Sequence, residues 1–82
     1  MTKVHEINLN TKLWNFFQEH DFIILDLTDE QINEQDYVLF KQVSLDEGKE
    51  MDTGLFRMTQ IRSITTNDGF KEGYVMLNLT KL

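Results

Sequence analysis

The sequence predicts a mainly β, α+β domain: a small, partly closed barrel of five strands with one early helix plugging an opening. Three observations lead there. Apolar and polar residues alternate over several short runs, and only one stretch carries helical spacing. All four glycines, Gly48, Gly54, Gly69 and Gly73, fall in the C-terminal half, where they punctuate short strands. The 82 residues suffice for one domain, 1–82, and not for two.

Residues 4–9 set His5, Ile7 and Leu9 against Val4, Glu6 and Asn8, the period of a strand with one buried face. Asn10 or Thr11 can then accept a bond from a free amide at a helix start. Leu13, Phe16, Phe17 and His20 recur at helical spacing, so 10–19 reads as a helix docked by that stripe, with Trp14 covering its edge. The apolar run 22–27 fits a strand buried on both faces. Residues 28–35 are polar and read as exposed loop. Residues 36–43 have strand composition, and 44–54, with four acids and two glycines, reads as a long hairpin loop.

In 55–64, Phe56 and Met58 stand opposite Arg57 and Thr59, and a bulge near Gln60 would bring the later isoleucines into step. Asn67-Asp68-Gly69 is turn chemistry. The last run, 73–79, alternates Val75, Leu77 and Leu79 against Tyr74, Met76 and Asn78.

Composition excludes whole classes of function. The absence of cysteine removes disulfides, thiolate metal sites and cysteine nucleophiles. Lys+Arg 8 against Asp+Glu 14 leaves a net charge of −6, a field that repels phosphate. Screening confines that repulsion to about 8 Å at physiological salt, so a local basic patch is still able to act. The apolar runs are too short to span a bilayer, so no membrane partner is expected. The start, Met1-Thr2-Lys3-Val4-His5-Glu6, lacks the order of a secretory leader, and a cytoplasmic setting is expected.

Catalytic signatures are sparse. His5 and His20 are the only histidines, and their spacing, even with Asp21, matches no metal motif; no cofactor is expected. Ser44 and Ser63 lie in no nucleophile elbow. Asp46, Glu47, Glu50 and Asp52 form a solvated acidic stretch, without the burial that shifts a carboxyl pKa. Arg57, Arg62, Lys41 and Lys12 are the cations placed to grip an anion, provided that Arg57 and Arg62 share a face.

Three segments carry a resemblance. His5-Glu6-Ile7-Asn8-Leu9 before an aromatic helix, Asp36-Tyr37-Val38-Leu39-Phe40, and Gly69-Phe70-Lys71-Glu72-Gly73-Tyr74-Val75-Met76-Leu77 together resemble the ASCH (activating signal cointegrator homology) family. That family belongs to the PUA-like superfamily, and the likeness is to its small bacterial and phage members. The resemblance implies a compact β-barrel with an early helix, and a cleft beside that helix which binds RNA or modified nucleosides in relatives.

The family signature, G-x-K-x-x-E-x-R, falls on Glu19, Asp21, Ile24 and Asp26, and none of its residues is kept. Relatives that hydrolyse acetylated cytidine use a lysine and a neighbouring threonine, which are Asp21 and Phe22 here. Neither replaces an amine base or a hydroxyl nucleophile. The expectation is a non-enzymatic binding or accessory module. Its site would lie between the helix and residues 22–27, near His5, His20, Asp21, Asp26 and Arg57. Its partner would be RNA or a nucleoside-like molecule, bound weakly and stacked on Trp14 or Tyr74. The alternatives are a hydrolase of a neutral or cationic substrate with Asp21 or Asp26 as base, and a protein-interaction module that pairs with a protein partner or as a homodimer.

Overall fold

Six elements follow one another: β1 (Val4–Leu9), α1 (Thr11–Glu19), β2 (Phe22–Asp26), β3 (Tyr37–Asp46), β4 (Lys49–Thr65) and β5 (Tyr74–Lys81). The computed structural model describes residues 2–28, 30–67 and 69–82. The strands form one sheet in the order β1-β3-β4-β5-β2, with β1 parallel to β3 and every other neighbour antiparallel. Five strands and one early helix are therefore present as expected. The ladder, however, is open: among the described residues β1 and β2 stand at its two ends without pairing, and α1 connects them while packing on β1, β2 and β3.

Asn10 sits in extended backbone and its side chain accepts from the Leu13 amide at 2.8 Å, which fixes the start of α1. The buried helix residues are Trp14 and Phe17, with Leu13 packed beside them, while Phe16 remains 37% exposed. The docked face is thus turned from the predicted stripe, and Trp14 belongs to the core. Phe17 packs at 5.7 Å from Trp14 and 4.8 Å from Phe40, ring centre to ring centre. Leu9, Ile23, Leu25, Val38, Ile61, Leu77 and Leu79 complete the buried set.

One-sided burial explains the behaviour of β2. Ile23 and Leu25 are buried, but Ile24 is 39% exposed, because only one face of the strand meets the core. On β4 the core face takes Thr59 and Ile61, and Phe56 points outward at 65% exposure. Thr59 tolerates this because its hydroxyl donates to the Val38 carbonyl at 2.9 Å. The register shift lies between Ile61 and Ser63, two residues past the predicted bulge, and it puts Ile61 and Ile64 opposite buried Leu79 and Leu77.

The predicted long loop at 44–54 is mostly strand. β3 and β4 run on as a two-stranded arm, joined through Glu47 (φ 50°) and Gly48 (φ 80°), the backbone of a tight two-residue turn. Polar, glycine-bearing composition disguises such an arm, since neither face lies over the core. In the turn before β5, Asn67 accepts from the Gly69 amide at 2.8 Å; Asp68 lies outside the described residues.

Candidate functional site

A cleft of about 630 Å³ opens where the start of α1 meets the base of the β3–β4 arm. Ligand pockets fall in the same size range. Its polar lining comes from Asn8, Asn10, Thr11 and Ser44, with Lys12 and Glu50 as one cation and one acid. Leu13, Val43 and Leu45 supply the apolar wall.

The local sequence places each of these groups. Asn10 caps the helix, so Thr11 and Lys12 follow in its first turn. Gln42 ties the two walls together at the point where the β3–β4 register shifts. Its Nε2 donates to Thr11 Oγ1 at 3.5 Å, and its Oε1 accepts from Thr53 Oγ1 at 3.0 Å. Sequence reasoning missed this cleft because it assigned 44–54 to a loop. The one local signal was Gly48, a glycine in the turn between residues that pair across it.

The five residues singled out from the sequence lie in different places, and none lines this cleft. His5, on the edge strand β1, donates from Nε2 to Asp36 Oδ2 at 2.8 Å. Asp36 is 2% exposed and also accepts from the amides of Lys3 and Asn33, each at 3.1 Å. The hydrogen bond from His5, then those amides, hold its carboxyl down at about pKa 2 against an ordinary 3.8. The pair ties β1 to the start of β3.

His20 ends the helix: its ring stacks on Phe16 at 4.1 Å, and Nδ1 donates to the Phe16 carbonyl at 2.9 Å. Asp21 and Asp26 are both exposed. The Thr28 hydroxyl, 2.6 Å from Asp26 Oδ1, and the Thr28 amide at 3.0 Å keep that carboxyl below its usual pKa. A general base near neutrality needs the opposite shift, brought by desolvation.

Arg57 pairs with Phe40 but is exposed, whereas Arg62, also exposed, falls in the bulge. Lys41 is held by Glu6 and Asp52, each at 3.0 Å, which raises its pKa. These three cations do not converge on either of two smaller clefts beside β2. One, of about 220 Å³, lies between Phe16 and Ile24. The other, of about 310 Å³, lies between Ile24, Phe70 and Tyr74. Trp14, buried at 7% exposure, is shut off from stacking on a base, while Tyr74 is 37% exposed.

Among the described residues no three histidine or acidic side chains gather closely enough to hold a metal ion, and no helix is long and apolar enough to cross a membrane. No protein-family model matches the sequence, and no curated protein matches it.

Proposed function

We propose that this chain is a non-enzymatic binding or accessory module of ASCH-like, PUA-like type, working in the cytoplasm. Its ligand site is the cleft between the start of α1 and the arm. The cleft itself carries this reading. It is large enough for a small molecule, and it offers amide and hydroxyl groups with one positive and one negative side chain.

Such a lining suits an uncharged, hydrogen-bonding ligand such as a nucleoside better than a polyanion. A phosphate would meet a single lysine, Lys12, beside Glu50, in a chain of net charge −6. The resemblance placed the site elsewhere, between the helix and residues 22–27, where the cleft beside Phe16 and Ile24 is smaller, about 220 Å³, and apolar. A protein-interaction role is favoured by a separate observation, the exposed apolar residues of the arm: Leu45 at 75%, Phe56 at 65%, Leu55 at 53% and Met51 at 50%.

The test is an amide-resolved NMR titration with the four ribonucleosides and with a short single-stranded RNA at low salt. Shifts confined to Asn8, Thr11, Lys12 and Ser44, stronger with a nucleoside than with the RNA, are expected. Saturation without any shift in those residues would rule the nucleoside reading out.

A further inference from the structure

One wall of the cleft is an unpaired strand edge. The β1–β3 ladder ends at Leu9 opposite Gln42, yet β3 runs on to Asp46. Backbone groups along a strand point alternately to its two sides. The Tyr37 amide donates to the Lys3 carbonyl, toward β1, at 2.8 Å, and the Gln42 carbonyl accepts from the Thr53 hydroxyl of β4 at 3.3 Å. Odd-numbered residues of β3 therefore face the β1 side. The turn agrees: in a two-residue hairpin the flanking pair, Asp46 and Lys49, bonds across, and the next pair, Leu45 and Glu50, does not. The amides and carbonyls of Val43 and Leu45 thus turn away from β4 and into the cleft that both residues line. No described strand pairs with them on that side.

We infer that this edge receives an extended peptide segment, which adds a strand to β3 in line with β1, just past Leu9. The inference rests on the reading of the cleft as the binding site, but not on a nucleoside as its occupant. Continuity with the β1–β3 ladder sets the position and spacing of the incoming strand. An exposed row of strand donors and acceptors is matched along its length by another backbone. Lys12 and Glu50 balance in charge, so the segment that fits carries no net charge of its own. Leu13 and the largely exposed Leu45 give its side chains an apolar surface.

The probe is a blocked pentapeptide, acetyl-Thr-Val-Thr-Val-Thr-amide, titrated into the full chain, beside the same peptide with N-methylated valines. The expected result is a shift and slower hydrogen exchange at the amides of Val43 and Leu45, lost with the methylated peptide. Leu45→Pro removes one edge donor without removing a bond to β4, so it should weaken binding at least about tenfold, a loss of one contact's worth of affinity. Leu45→Ala keeps the edge amide and loses only side-chain contact, so it should weaken binding less than Leu45→Pro does.

Equal binding by the methylated peptide, or unchanged binding by Leu45→Pro, overturns the inference. So do shifts at the cleft with nucleosides but none with the peptide, an outcome that leaves the binding site itself standing. Silence of the cleft toward peptide, nucleosides and RNA alike removes both readings. If Leu45→Pro fails to fold, the methylated peptide alone decides.

Discussion

Asp36 shows how one side chain is fixed by its surroundings. A nearly buried carboxylate that accepts from His5 and two backbone amides is stabilised in its ionised form, and its pKa falls to about 2. Because the folded-state pKa lies below the ordinary 3.8, its contribution is complete above that pH and is lost as the pH falls from there toward 2. Asp36→Asn should lower the urea midpoint at neutral pH, and its deficit relative to the parent should shrink across that acid window. A deficit that stays constant down to pH 2 would contradict this role. Gly73 is the second such residue. Its φ is +87°, and an added Cβ would collide with Thr28 Oγ1 and come within 2.9 Å of Asp26 Oδ1. Gly73→Ala is therefore expected to cost about 2 kcal/mol or more, read from chemical denaturation. Turn composition marks Gly73 in the sequence, but the neighbour that crowds it, Thr28, follows the end of β2 that pairs beside it at Tyr74.

At the scale of the element, α1 is held at its two ends by different means. Asn10 caps the start locally, and Asn10→Ala should cost about 1 kcal/mol. The far end has no glycine and no basic residue in its last turn. There Lys81, from the end of β5, donates to the carbonyls of Phe17 at 2.6 Å and Gln18 at 3.3 Å, with its ammonium 4.7 Å from the Phe17 ring centre. A cation at a helix C-terminus meets both the free carbonyls and the helix dipole. Lys81→Met keeps most of the aliphatic stem and should still lose about 1–2 kcal/mol, with the last turn of α1 exchanging its amides faster. The helix start was legible because its cap lies three residues from the amide it serves. The helix end at Glu19 was legible as well, but its tie to Lys81 was not, because that residue lies 64 positions away. The arm failed to announce itself for another reason: burial alternation is the usual mark of a strand, and residues 49–57 are all exposed.

For the whole molecule, the aromatic contact between helix and sheet joins the two layers. Phe17 and Phe40 are both fully buried and in contact, so Phe17→Ala is expected to cost about 3–5 kcal/mol. Since native proteins are stable by only about 5–15 kcal/mol, that loss is a large share of the total, and the variant should melt well below the parent in a thermal scan. The net charge of −6 acts at this scale too, disfavouring any long polyanion whatever the local chemistry of the cleft.

The single early helix, five strands apart from the arm, and the acidic field were legible in the sequence, because hydrophobic period, capping residues and charge are local or additive properties. Which face of β4 meets the core, whether the sheet closes and where a cleft opens were not. Those depend on strand order and on register shifts at Gln42 and Arg62, which set residues far apart in the chain side by side. His5, His20, Asp21, Asp26 and Arg57 were chosen for their chemistry, but packing gave His5 and His20 bonding partners within the fold and left the cleft to Asn8, Thr11, Lys12, Ser44 and Glu50. A site is made by proximity, and proximity is a property of the folded chain.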